Sequence, residues 1–158
     1  MFDQVLTFNL VASTVVFYAA AKLYLFPNLE RMSPRSILLP ILLLHSLRHL
    51  GLMFLTRGAT YPGMPQQFAV PAALGDLLSA ILAFTSIPPV ARGWRSARPM
   101  VWVFNVVGSL DMACAITLAT VYQAAPFMGP AYWIPSFWVP TLLVTHYITF
   151  IVLRRKWA

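Results

Sequence analysis

The chain has 158 residues, of which 59% are hydrophobic and only 9% are charged, and its mean hydropathy is +0.74. Soluble domains carry about 25% charged residues, so this composition excludes an ordinary soluble domain and indicates a polytopic membrane protein. The net charge of +7 does not indicate nucleic-acid binding, because the basic residues flank apolar segments.

Apolar segments long enough to cross a bilayer recur along the whole chain. A spanning helix needs about 20 mostly apolar residues. The connecting segments are too short for another domain, so we expect one transmembrane domain, an all-α bundle of five helices. The predicted helices cover residues 5–26, 36–56, 68–87, 99–122 and 134–153.

The first segment is predicted to be a retained membrane helix. No basic residue precedes it, and it is too long for the apolar part of a cleaved signal peptide. Its polar residues, Asn9, Ser13 and Thr14, are all neutral. We therefore expect this helix to serve mainly in packing.

The second segment contains three ionisable residues, His45, Arg48 and His49, near its middle. Residues three and four apart share one face of an α-helix. A lipid-facing stripe of such residues is energetically costly, so this face is predicted to point into the bundle.

The third and fourth segments each carry one aspartate at a similar depth, Asp76 and Asp111. Arg48 is their only evident strong cationic partner, and we expect it to form a bidentate pair with one of them. The third helix is predicted to end at Pro88-Pro89.

The fifth segment carries His146 slightly beyond its middle. Residues 133–140 contain two prolines, so the first half of this helix is predicted to be irregular, with Pro140 freeing the carbonyl of Ser136. Irregular helices often line cavities in membrane proteins.

Lys and Arg concentrate in alternate connecting segments, which predicts the orientation. By the positive-inside rule the N-terminus faces outward and the C-terminus lies in the cytoplasm, in a bacterial-type cytoplasmic membrane. On the opposite side lies only Arg57. The residues on the predicted cytoplasmic side are Lys22, Arg31, Arg35, Arg92, Arg95, Arg98, Arg154, Arg155 and Lys156.

One functional hypothesis is a metal or haem site. His45 and His49 at i,i+4 could act as paired ligands, completed by His146, Asp76 or Asp111, a donor set that suits zinc or non-haem iron. Alternatively, His146 and a histidine of the second helix could hold a haem. Redox or hydrolytic chemistry on a lipid-phase substrate would follow, with Arg48, Asp76 and Asp111 as catalytic groups.

Other hypotheses need no cofactor. The same side chains could relay protons or ions during transport, or pin the helices together through hydrogen bonds. The chain could be an accessory subunit of a larger membrane complex, or a homo-oligomer. A buried aspartic acid could also act as general acid on a lipid or isoprenoid-like substrate. Cofactor chemistry is narrowly favoured, because all three histidines fall inside predicted membrane helices.

Several other chemistries lack their sequence motifs. The chain has no GxSxG elbow, no P-loop and no HExxH sequence. Its single cysteine, Cys114, has no partner for a disulfide within the chain and is predicted to be a small packing residue.

Overall fold

A computed structural model describes residues 2–155, with side chains from residue 4 onward, so Lys156 lies outside the described part. The described residues form an all-helical fold with five helical spans long and apolar enough to cross a membrane. This confirms the predicted helix count. The α-helices are α1 (Phe2–Ala20), α2 (Pro34–Ser46), α3 (Gln66–Arg92), α4 (Ala97–Val121) and α5 (Val139–Arg155).

The first span lies at the periphery of the bundle. After α1 it continues through a π-helical segment, Ala21–Leu25, and a 3-10 segment, Phe26–Asn28. Only 6% of the residues in its most apolar stretch of 18 residues are buried. Its main contacts are with α5 and the segment before α5. The span therefore exposes apolar side chains along most of its length, as a helix bordered by lipid does.

The second span changes its helical geometry in the middle. It begins with the Ser33 side chain accepting a hydrogen bond from the Ser36 N–H, and α2 ends at Ser46. A 3-10 helix, Leu47–Leu55, then completes the span. Arg48, Gly51 and Phe54 are its buried residues, a spacing of three that matches the three residues per turn of this helix.

The third helix does not end where the sequence predicted. It continues through Pro88 and Pro89 to Arg92, so the predicted end at residue 87 is wrong. Membrane helices tolerate proline because neighbouring groups and small local adjustments satisfy the carbonyls that it frees. The helix ends instead at Gly93, which has φ 67° and donates its N–H to Pro89 O.

The fifth span begins irregularly, as its prolines predicted. Residues Ile134–Trp138 form a π-helical segment before α5. The Ser136 hydroxyl donates to Tyr132 O at 2.8 Å. This segment packs against α1, and it forms one wall of the cavity described below.

Two apolar cores occupy opposite ends of the bundle. One lies toward the connections at residues 29–33 and 93–96, and includes Leu38, Leu42, Val101, Phe104 and Val152. The other lies toward the connections at 56–65 and 122–133, and includes Phe54, Phe68, Ala72, Met128 and Ile134. Between these two cores lie the side chains of His45, Arg48, Asp76, Asp111 and His146.

Candidate functional site

Arg48 is the centre of the buried polar cluster. Its side chain is 1% exposed. Its Nε donates to Asp76 Oδ1 at 2.8 Å, and its Nη2 donates to Asp111 Oδ2 at 2.5 Å. The expected bidentate pair with a single aspartate is therefore wrong, because the guanidinium bridges one carboxylate from α3 and one from α4.

The remaining terminal nitrogen of Arg48 bonds toward α4 and α5. Nη1 donates to Gly108 O and to His146 Nε2, both at 3.2 Å. Arg48 thus joins three neighbouring helices through four hydrogen bonds. A guanidinium suits this role, since it presents five donors in a fixed plane.

His146 is held in one tautomer by Asn105. Its Nδ1 lies 2.7 Å from Asn105 Oδ1, while Asn105 Nδ2 donates to His146 O at 3.3 Å. Because the amide oxygen only accepts, Nδ1 carries the proton, and Nε2 is then free to accept from Arg48. His146 is therefore a neutral imidazole with both ring nitrogens bonded.

His45 completes the cluster on the α2 side. Its Nε2 lies 2.8 Å from Thr145 Oγ1. The Thr145 hydroxyl proton is donated to the backbone of α5, so His45 is the donor in this pair. The rings of His45 and His146 are in direct contact, with centroids 4.3 Å apart, and Phe104 packs against both.

Three glycines make room for the charged side chains. A Cβ at Gly51 would overlap the carboxylate of Asp76, and one at Gly75 would overlap that of Asp111. A Cβ at Gly108 would lie 2.7 Å from His146 Cε1 and 2.9 Å from Arg48 Nη1. Each of these distances is shorter than van der Waals contact, so the cluster depends on glycine at all three positions.

His49 does not join the cluster. It is exposed, and its Nδ1 lies 3.0 Å from Ser46 O, one turn back. The predicted shared face of His45, Arg48 and His49 assumed α-helical spacing. The 3-10 helix turns by three residues, so it places Gly51 rather than His49 or Leu52 in line with Arg48.

Several residues that the site uses are not among the predicted site residues. Asn105 and Thr145 orient the two histidines, and Gly51 admits Asp76. Asn105 was detectable as an amide in an apolar helix. The role of Gly51 was not, because it depends on the switch to 3-10 geometry within the second span.

The arrangement does not fit the predicted metal site. Among the described residues, no group of three or more His, Cys, Asp or Glu side chains is placed to hold a metal ion. The Arg48 guanidinium occupies the space between Asp76, Asp111 and His146. His146 Nε2 already uses its lone pair to accept from Arg48, so it is not available as a ligand.

The arrangement does not fit a bis-histidine haem either. Axial ligands bind the iron from opposite faces of the macrocycle. The rings of His45 and His146 instead touch each other with Phe104 against both, which leaves no room for a porphyrin between them.

A cavity of about 480 Å³ opens on one side of the cluster. Arg48 and Asp76 form its inner end, and apolar side chains form most of its walls. Its exposed lining residues are Thr7, Thr120 and Gln123. The mouth of the cavity therefore lies where the first turns of α1 face the end of α4. Further lining residues are Leu6, Leu10, Phe54, Phe68, Ala72, Met112, Ala115, Ile116, Ala119, Met128, Ile134, Pro135, Trp138, Val139 and Leu142.

The fold and site define an all-helical protein with five spans long and apolar enough to cross a membrane, and with a guanidinium–carboxylate cluster at the end of an apolar cavity. The chain belongs to the family described as "Domain of unknown function (DUF8737)", whose family model matches residues 5–154. Comparisons with curated proteins and with solved structures give no match.

Proposed function

We propose that this protein binds a small, largely apolar molecule that reaches the cavity from the membrane. The observation that carries the proposal is the cavity itself, which has apolar walls and one charged end formed by Arg48 and Asp76. Its volume of about 480 Å³ lies within the range of about 300–1,000 Å³ typical of ligand pockets. The apolar walls suit a hydrocarbon or ring system, and the charged end suits one polar group.

The proposed setting is a bacterial-type cytoplasmic membrane, with the N-terminus outside and the C-terminus inside. Five apolar spans and the bias of Lys and Arg toward alternate connections support it. In this orientation the cavity mouth lies in the outer half of the bilayer. A ligand would enter from the outer leaflet between α1 and α4. Assembly into a homo-oligomer or a larger complex remains compatible with the exposed apolar faces.

Binding has stronger support than transport. An ion crossing the bundle would have to pass from the polar cluster through the core that contains Leu38, Leu42, Val101 and Phe104. The buried residues of this core are apolar and none of them lines the cavity, so among the described residues the cavity does not continue through this core. The geometry therefore favours a receptor-like pocket over a path through the membrane.

The proposal is tested by filling the cavity from α4. Ala119 lines the cavity, whereas Ala113 on the same helix is exposed. Wild-type protein, Ala119→Phe and Ala113→Phe would be purified from the same host membranes. Their bound lipid-soluble molecules would be extracted and compared by mass spectrometry.

We expect one extracted molecule to be enriched in the samples of wild type and Ala113→Phe. Its amount should be at least about tenfold lower in the Ala119→Phe sample, because the added ring fills the part of the cavity that the molecule occupies. Folding of each variant would be checked from its thermal unfolding midpoint. Identical extracts from folded wild type and Ala119→Phe would contradict the proposal.

A further inference from the structure

We propose that the polar group of this ligand is a cation, and specifically a protonated amine that binds beside Asp76. The inference depends on the proposed ligand-binding function and specifies the chemistry of the ligand. It follows from the charge balance of the cluster and from the side of the cluster that faces the cavity.

The cluster contains one more carboxylate than guanidinium. Arg48 alone faces Asp76 and Asp111. The histidines do not make up the difference, since the hydrogen bonds of His146 define a neutral ring. His45 is a donor through Nε2, and its buried Nδ1 has no partner among the described residues. An ionised cluster therefore carries a surplus negative charge, which is costly in an apolar surrounding.

Arg48 is poorly placed to receive an anionic ligand. Its Nε donates to Asp76, and the two hydrogens of Nη1 are donated to Gly108 O and His146 Nε2. Its Nη2 donates one hydrogen to Asp111. Only one of its five donors is left, whereas an anion is recognised best by two parallel ones. An incoming carboxylate would also add a third negative charge to the site.

Asp76 is the carboxylate available from the cavity. It lines the cavity with Arg48, and its side chain is 16% exposed. Arg48 bonds to its Oδ1, whereas Oδ2 packs against Gly51. An ammonium group can donate to these oxygens while its apolar tail lies along Phe54, Phe68 and Trp138. The ligand then supplies the positive charge that the cluster lacks.

The test compares three probes with the same tail and different head groups: decylamine, decanol and decanoate. Binding to the full-length protein in nanodiscs of uncharged phosphatidylcholine would be measured by calorimetry, with empty nanodiscs subtracted. We expect decylamine to bind about tenfold or more tightly than decanol, because one hydrogen bond to a charged group changes the dissociation constant by that ratio. We expect decanoate to bind most weakly.

The variant Asp76→Asn removes the surplus charge at the cavity wall. We expect its preference for decylamine over decanol to fall to within about twofold, while decanol still binds. Equal binding of decylamine and decanol to wild type, or tightest binding of decanoate, would overturn the proposal even if Asp76→Asn failed to fold.

The two proposals fail in different ways. If Ala119→Phe abolishes binding of all three probes but the head groups bind equally, the cavity binds ligands and only the cation inference is wrong. If no probe binds wild type above empty nanodiscs, and the Ala119→Phe extract matches that of wild type, the ligand-binding function itself is wrong.

Discussion

Arg48 is the residue on which the interior of this bundle depends. It is buried, and it bonds to side chains or backbone of α3, α4 and α5. A buried charge is tolerated only when it is paired and its hydrogen-bonding groups are satisfied. The same holds for the two aspartates, which have no other cationic partner among the described residues.

Replacing Arg48 by methionine is expected to destabilise the protein by about 3–5 kcal/mol, because it leaves two carboxylates in an apolar interior without a counter-charge. The folded yield after detergent extraction and the thermal unfolding midpoint would measure this. Arg57→Met is the matched control, since Arg57 is an exposed arginine in the connection before α3. Equal stability of Arg48→Met and wild type would contradict the described ion pairs.

His146 and His49 provide a second matched pair. His146→Ala leaves Asn105 Oδ1 and one of the two hydrogens of Arg48 Nη1 without a partner, while the other hydrogen still bonds to Gly108 O. Each unpaired group costs about 1–3 kcal/mol. His49→Ala changes an exposed side chain and is expected to alter the free energy of unfolding by less than about 0.5 kcal/mol. A larger loss in His49→Ala than in His146→Ala, seen in chemical or thermal unfolding, would contradict the placement of His146 inside the cluster and of His49 outside it.

Each helix contributes to the site through its local geometry. The 3-10 segment of the second span places Arg48 and Gly51 on one face. Asp76 on α3 and Asp111 on α4 reach the guanidinium of Arg48 from the neighbouring helices. The glycines let these helices approach so closely that each charged group lies against the backbone of its neighbour. The site is therefore built from the helix crossings and not from the connecting loops.

Gly75→Ala tests the crossing of α3 and α4. Alanine favours an isolated helix by about 1 kcal/mol over glycine. At Gly75, however, the added methyl overlaps the carboxylate of Asp111, which Arg48 holds in place. We expect net destabilisation of about 1–3 kcal/mol by thermal unfolding. Ala113→Val enlarges an exposed position on α4 and is the control. If Gly75→Ala stabilised the protein, α3 and α4 would have to lie farther apart than described.

The whole bundle is asymmetric along its axis. One end is filled by a continuous apolar core, whereas the other combines a smaller core with the open cavity. The polar cluster lies at the boundary between them. Under the proposed function, this asymmetry makes the orientation in the membrane decisive, because the orientation determines the leaflet from which a ligand can enter.

The proposed orientation can be tested with single cysteines introduced after Cys114→Ser. Thr60→Cys lies in the connection before α3, and Ser96→Cys lies in the connection between α3 and α4. With the N-terminus outside, a membrane-impermeant maleimide added to intact cells should label Thr60→Cys and should label Ser96→Cys only after lysis. The reverse pattern would place the cavity mouth in the cytoplasmic leaflet.

Hydropathy, proline positions and charge were sufficient to predict the number of helices, their approximate limits and the irregular start of the fifth span. They also singled out His45, Arg48, Asp76, Asp111 and His146, since an ionisable residue in an apolar helix must find a partner inside the bundle. The structure brings these five residues together.

Which side chains contact one another, and which chemistry they can perform, depends on how the helices pack together. The amino-acid order does not reveal that the second span changes to three residues per turn, which removes His49 from the cluster and brings Gly51 into it. Nor does it show that the guanidinium occupies the space where a metal was expected. Such contacts join residues far apart in the chain, with 100 positions between His45 and Thr145 and 98 between Arg48 and His146. They are set by how four helices cross, whereas hydropathy reports only the preference of each segment for lipid.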